Sequence, residues 1–330
     1  MNTFNFAIAL LVAFVLPSAG ISEPAPGKRY GDNWGKWGKE DQLGTLNYIT
    51  PEVRTHAATL VKTGKTFSLA LPLDENMPAW HTRTIQHQMV FNFLNDGEGG
   101  SDDAIFMHLQ ATTHWDALSH IYYDRIMYNG FSAKEHITYD GATALSIENL
   151  KDQIVTRGVL LDVARYKGVD SLKTGYVITA EDLENTAKTQ GVKITQGDCI
   201  MIRTGFLNDL LEMPWPGTRI IELGEPGIGL SASQWLKKNK VACVAADNVG
   251  VEVFPHEPEA IEAFTPHGQQ FIPIHVELIV NQGMTLGELF YMEDLAKDCA
   301  NDKVYEFLFV APPLRVVGGV GAPMNPQAIK

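Results

Sequence analysis

Along the second half of the chain, apolar runs of strand length alternate with amphipathic stretches that begin and end on capping residues. "GVLLDVARY" (158–166), "DCIMIRTG" (198–205), "VACVAAD" (241–247) and "YEFLFVAPPL" (305–314) are nearly continuous apolar runs, as a strand covered on both faces requires. Between them, "TAEDLENTAKTQG" (179–191) predicts a helix with Thr179 as cap, Asp182 in the first turn and Gly191 as the stop. "SASQWLKKNK" (231–240) predicts another, opened by a Ser231/Gln234 capping box. Upstream, Thr50 followed by Pro51 marks a helix start with Gly64 as its stop, and "FSLALPL" (67–73) reads as a strand. With no internal repeat and no linker, this alternation predicts one α/β domain.

The first twenty residues break the pattern. "FAIALLVAFVL" (6–16) followed by "PSAG" reads as the apolar region and cleavage site of a signal peptide, too short to span a bilayer comfortably. The expected organisation is a signal peptide over 1–20, an extended arm rich in Gly, Trp and Lys over 21–50, and the domain over 51–330. The mature chain is then expected to be secreted or periplasmic, with no membrane segment.

Composition narrows the partners. The chain has 330 residues, 45% of them hydrophobic, and a net charge of −13. A surface this acidic repels phosphate backbones and anionic membranes, so nucleic acid is excluded and a small-molecule substrate is expected. Cys199, Cys243 and Cys299 lie far apart and show neither a disulfide framework nor a zinc knuckle; buried thiols are expected. "NDGEGGSDDA" (95–104) lacks EF-hand spacing and reads as a solvated loop. No Gly-x-Ser-x-Gly elbow marks a serine hydrolase, and "GGVGAP" (318–323) reads as a loop without a phosphate-binding lysine.

Candidate chemistry concentrates in "HLQATTHWDALSH" (108–120). If residues 106–116 run as a strand, His108, Gln110, Thr112, His114 and Asp116 share one face. His114 and Asp116, two apart, can converge on one ion, and an imidazole with a carboxylate suits zinc or manganese. His108 and His114 would stand ~20 Å apart on a straight strand. A turn after Asp116 would bring His120 back over the ion.

His114-x-Asp116-x-x-x-His120, preceded by Thr113, resembles the second part of the His-x-Gly-Thr-His-x-Asp-x-x-x-His signature of the cyclase family. That family includes bacterial kynurenine formamidases and isatin hydrolases, metal-dependent amidohydrolases with a swivelling β/β/α fold. "GDCIMIRTGF", "GLSASQWLKKNKVACVAADNVGVE", "HVELIVNQGMTLGELFYMEDLA" and "GGVGAPMNPQAI" resemble it in order and spacing, and "WGKEDQLGTLNYITPE" with "THWDALSH" resembles a longer branch. Two positions depart from the signature: Gln110 replaces its first His, and Thr112 replaces its Gly. The resemblance implies His275 and Glu288 as further ligands beside His114 and Asp116, with Gln110 as a possible fifth. It also implies a homodimer or homotetramer. Although the kynurenine formamidases carry two ions, the loss of one imidazole makes a single Zn or Mn ion the expectation here.

These residues predict hydrolysis of an amide, formamide or lactam C–N bond in a small aromatic substrate by activated water. His120 is the expected proton shuttle, the alternative being a further ligand, and Trp115, Trp80 and His81 the expected pocket wall. Within the enzymes, lactone opening or ring closure is the alternative. From another class, an exported binder of metal or ligand that has lost catalysis is the alternative that Gln110 favours.

Overall fold

A computed structural model describes residues 33–80, 83–93, 99–214, 220–265 and 272–330. The leader, the first part of the arm (21–32) and His81 lie outside the described residues. The strands are β1 (Thr66–Ser68), β2 (Ile85–Phe93), β3 (Gly99–Met107), β4 (His114–Asp116), β5 (Ile137–Thr138), β6 (Gly141–Ala142), β7 (Val155–Asp162) and β8 (Val177–Ile178). They continue with β9 (Cys199–Arg203), β10 (Gly227–Ile228), β11 (Cys243–Ala246), β12 (Thr285–Glu288), β13 (Glu306–Val310), β14 (Gly321–Pro323) and β15 (Gln327–Ile329).

Nine of these form one mixed sheet in the order β1-β15-β13-β7-β9-β11-β12-β4-β14. Its centre, β7-β9-β11-β12, is parallel; the flanking strands are antiparallel. The apolar runs are continuous because both faces are covered. Ile200, Ile202, Val244 and Leu286 join one core with the helices Ala180–Gln190 and Leu230–Lys238, while Cys199, Met201, Cys243 and Trp115 join a second core with Glu293–Asp302. The sheet thus carries helices on both sides as the sequence predicts, and all three cysteines are buried and free. Among the described residues, no helix is long and apolar enough to cross a membrane.

The capping signals are met unevenly. Thr179 and Asp182 make the reciprocal box, and Gly191 ends the helix in the left-handed region. Thr50 accepts from Val53 N, but its helix stops at Ala58, short of Gly64. The Ser231/Gln234 box is not formed: Gly229 caps that helix, Ser231 accepts from Ala180 N, and Gln234 donates to Glu277. Strand ends also differ. "FSLALPL" pairs only at its start, "GVLLDVARY" turns helical at Val163, and Gly321–Pro323 of the expected C-terminal loop is an edge strand. The described part of the arm lies on the domain, with Trp34 Nε1 donating to Val280 O and Thr45 Oγ1 to Ala242 O.

The expected loop at 95–104 contains a correction. From Gly99 onward it belongs to β3, which pairs with β2 residue for residue as a nine-residue antiparallel ribbon. Among the described residues that ribbon pairs with no other strand.

Gly158 shows how tightly the sheet's cover fits. A Cβ there would stand 2.3 Å from Phe307 Cε2, an aromatic ring fixed in the core. Gly158→Ala is expected to cost about 1–3 kcal/mol, read as a lower urea midpoint with unchanged slope.

Candidate metal centre

The strand at 106–116 is interrupted. Met107 ends β3, residues 108–113 turn, and only His114–Asp116 rejoin the large sheet. The turn separates the histidines by position. His108 is exposed and its Nδ1 accepts from Thr84 N, whereas His114 is fully buried.

Register brings the distant parts together. In the antiparallel pairing of β4 with β12, His114 stands opposite Glu288 and Trp115 opposite Gly287. Residues directly opposite share a face, and Asp116, two along from His114, shares it too. His114 Nε2 lies 3.2 Å from Glu288 Oε2 and 3.4 Å from Asp116 Oδ1. His275 Nε2 lies 3.1 Å from Glu288 Oε1 and 4.0 Å from Asp116 Oδ2. His120, folded back by a turn closed on Ala117 O, has Nε2 3.7 Å from Asp116 Oδ1. The cluster sits where β12 ends, beside the ends of β9 and β11, the usual place for a site in a parallel sheet.

Each imidazole is oriented by its second nitrogen. His114 Nδ1 donates to Thr112 O at 2.6 Å, and His275 Nδ1 donates to the Glu252 carboxylate; both present Nε2 to the cluster. Glu252 also accepts from the backbone N–H groups of Ile274 and His275 and from His256 Nδ1. His275 enters a single π-helical segment, Val276–Gln282, a geometry common at functional sites. Two backbone outliers flank the cluster: Leu289, directly after Glu288, has φ 56°, and Val251, before Glu252, has φ 59°. For a β-branched residue such as Val251 that conformation is strained, and Asn248 holds both by accepting from Leu289 N and Val251 N.

The electrostatics are those of a cation site. Burial opposes protonation of His114, but Asp116 and Glu288 outweigh it and raise its pKa to about 9. Burial likewise opposes protonation of His275, and Glu252 with Glu288 raises it to about 10. Burial pushes Glu288 up, yet the two imidazoles hold it well below the carboxylate range. Glu252, pushed up by burial, is lowered by His256 and His275. In every case the buried carboxylates draw positive charge into the site. His120 is the exception: burial dominates and lowers its pKa.

The donors fit a divalent ion. The donor atoms of His114, Asp116 and Glu288 lie within 4.8 Å of one another. His114 Nε2 and both Asp116 carboxylate oxygens are buried without a hydrogen-bond partner, a costly state unless something else ligates them. Bonds of ~2.1 Å around one ion separate neighbouring ligand atoms by roughly 3.4 Å, close to the spacings above.

The remaining predicted residues fall elsewhere. Gln110 O accepts from Arg83, and its side-chain amide lies against Gly321, the strand partner of Asp116. Trp115 is a correction: alternation turns it to the opposite face, where it is fully buried against Phe290 and Phe309 and donates to Ala311 O, so it belongs to the core and lines no pocket. Trp80 packs beside Leu71, Phe206 and Leu289 at the edge of the site. Glu252, His256 and the buried acid Glu225, raised by burial and bonded by Val249 N, were not singled out by the sequence. Glu252 and Glu225 stand in ordinary loop composition, where only their fold neighbours reveal them.

A family model described as "Putative cyclase" matches residues 67–253. A solved structure of "a novel cyclase" is 40% identical, covers 90% of this chain and 97% of its own, and superposes with a TM-score of 0.82. The chain belongs to the cyclase family. Two further structures share the cyclase fold at low identity. An isatin hydrolase bound to the product analogue thioisatinate is 16% identical with TM-score 0.57, covering 82% of this chain and 93% of that one. Isatin hydrolase A from Ralstonia solanacearum is 16% identical with TM-score 0.57, covering 80% and 91%. A search of curated proteins gives no match.

Two variants test this cyclase's centre. Adding Zn²⁺ or Mn²⁺ to metal-free protein should raise its melting temperature, and Glu288→Ala should abolish that rise. Glu252→Gln should fold and still bind, about 10–100-fold more weakly by calorimetric titration; unchanged affinity would rule out its orienting role.

Proposed function

We propose that this cyclase is a metal-dependent hydrolase that opens a C–N bond in a small aromatic amide, formamide or lactam. One observation carries the reading. Buried, unpartnered His114 and Asp116 donors converge with Glu288 and His275 at the edge of an apolar cluster that includes Leu71, Trp80 and Leu289. His114, Asp116, Glu288 and His275 would hold the ion, with Gln110 beside them, and Zn or Mn suits this mixed donor set. Such an ion supplies an activated water at neutral pH and polarises a carbonyl.

The chain's own groups would do the rest. His120 is 20% exposed, whereas His114 is fully buried, so His120 stands where the cluster meets solvent. Its lowered pKa leaves the imidazole neutral and able to accept a proton at Nε2. It then returns that proton to the departing nitrogen, which would otherwise leave as a poor amide anion. The Asp116 carboxylate beside it stabilises the imidazolium formed between the two transfers. Trp80 and Leu71 present apolar surface suited to an aryl group. Cleavage near position 20 and export of the mature chain belong to the same proposal.

A panel of aryl formamides, isatin, cyclic imides and lactones, assayed with Zn²⁺ or Mn²⁺, tests the function. Turnover of the first three classes is expected; preference for lactones would move the activity to C–O bonds, and a metal-loaded chain inert toward all would make it a binding protein. His120→Ala should keep its metal and lose about 10²–10⁴-fold in kcat. Recovery of that variant without metal would instead place His120 among the ligands.

A further inference from the structure

Basic charge is scarce in this chain, with 26 Lys and Arg against 39 Asp and Glu, and it is not spread evenly. Where the N-terminal arm meets the C-terminal end of the helix Leu230–Lys238, an open pocket of about 430 Å³ is lined by Lys36, Lys237, Lys238 and Lys240. Gln234 and the buried side chains of Asn33 and Tyr48 complete it, and no carboxylate is among the lining residues. The helix dipole accounts for Lys237 and Lys238 in the last turn. It does not account for Lys36, which a distant part of the chain brings to the same place.

Lys36 is fixed there. Its ammonium group donates to Asn33 Oδ1 at 3.2 Å and to Tyr48 Oη, and lies 4.7 Å from the Tyr48 ring centroid and 4.9 Å from that of Trp37. These partners are neutral, so they orient the charge without cancelling it. Lys238 and Lys240 are exposed and, among the described residues, pair with no acid. Glu277, the acid that Gln234 bonds, is buried, already accepts from Asn281 and Gln282 as well, and attracts Lys237. At least three of the four ammonium charges are therefore left without an acidic partner, and like charges held together gain from a counter-anion.

We propose that this pocket binds a small molecule carrying two or more phosphate or sulfate groups. Lysine ammonium groups are point charges suited to such oxyanions. The volume corresponds to roughly fourteen waters, more than one oxyanion fills, and three unmatched positive charges call for more than one negative charge. The acidity of the remaining surface selects a small ligand over a polymer. At a net charge of −13, a nucleic acid or sulfated polysaccharide would have to lay its further charges across repelling ground.

Calorimetric titration of the metal-loaded full chain with trimetaphosphate and with sucrose octasulfate tests the site. It involves no turnover, so its outcome is separate from that of the hydrolase reading. Saturable one-to-one binding of at least one probe is expected, tighter at low salt, and the probe that binds identifies the anionic group. Lys238→Gln combined with Lys240→Gln should weaken binding about tenfold with circular dichroism unchanged, and Lys36→Gln should weaken it as well. Lys62→Gln combined with Lys303→Gln removes the same charge from exposed positions elsewhere and should leave the affinity as it was. Equal weakening by both pairs would reduce the effect to overall charge and overturn the proposal. So would binding that disappears with the metal, capture of heparin or DNA with neither small probe held, or no saturable binding at millimolar concentration.

Discussion

The site depends on one pairing: Glu288 opposite His114 across the β4–β12 ladder. Because side chains on strands alternate with period two, this register alone decides that His114, Asp116 and Glu288 face the same way while Trp115 and Gly287 face the other. A slip of one residue would turn His114 and Asp116 into the aromatic core and push the indole toward Glu288 and His275. The core is built to refuse that slip. A Cβ at Gly287 would stand 2.6 Å from both Trp115 and Phe290, so only glycine permits the indole beneath it. Thr285 Oγ1 bonded to Asp116 O, and Thr113 Oγ1 bonded to Leu289 O at 2.5 Å, fix the register from both ends.

Placing that much carboxylate in a closed core is expensive, and the surroundings show how the expense is distributed. Glu252 gathers two backbone donors and two imidazoles, which keeps it ionised despite burial. Glu225, nearby but without a cationic partner in its bonding, goes the other way: burial, with the neighbouring Glu288 and Glu252 carboxylates, pushes it well above the usual carboxylate range. Gly250 lets these layers approach, since a Cβ there would come within 2.9 Å of Glu225 and 3.9 Å of His275. The strained Val251 and Leu289 belong to the same device, each turning the chain at a residue adjoining a carboxylate of the cluster. Orientation is thus set before any ligand arrives, which lowers the reorganisation that binding would demand.

The sequence revealed what local patterns encode. Continuous apolar runs located β7, β9, β11 and β13, and Thr179 with Gly191 bounded a helix, because burial on two faces and capping both leave their mark on neighbouring residues. The His114/Asp116 pair and His120 were legible from spacing, and resemblance supplied His275 and Glu288. Trp115 was misread although alternation between His114 and Asp116 already set it on the opposite face, toward Phe290 and Phe309. Gly229 displaced Ser231 as a cap because Glu257 already accepts from Leu230 N, a tertiary bond with no local signal. The ribbon escaped for a related reason: its second strand is Gly- and Asp-rich and is held by cross-strand pairing, not by a buried face of its own.

The ribbon and the metal centre are joined at the ribbon's root. Thr84 N bonds His108, and Arg83 bonds the carbonyl of Gln110, so both strands of the arm end on the turn that delivers His114. Arg83 also contributes to the electrostatics of His120, lowering its pKa alongside burial. This gives the two departures from the family signature a shared logic. Thr112 supplies its carbonyl to His114 Nδ1, and Gln110 is held through its backbone carbonyl by Arg83 with its amide against Gly321. In this chain the backbone of Gln110 is tied to the root of the ribbon through Arg83, while His114, Asp116 and Glu288 are held by the sheet.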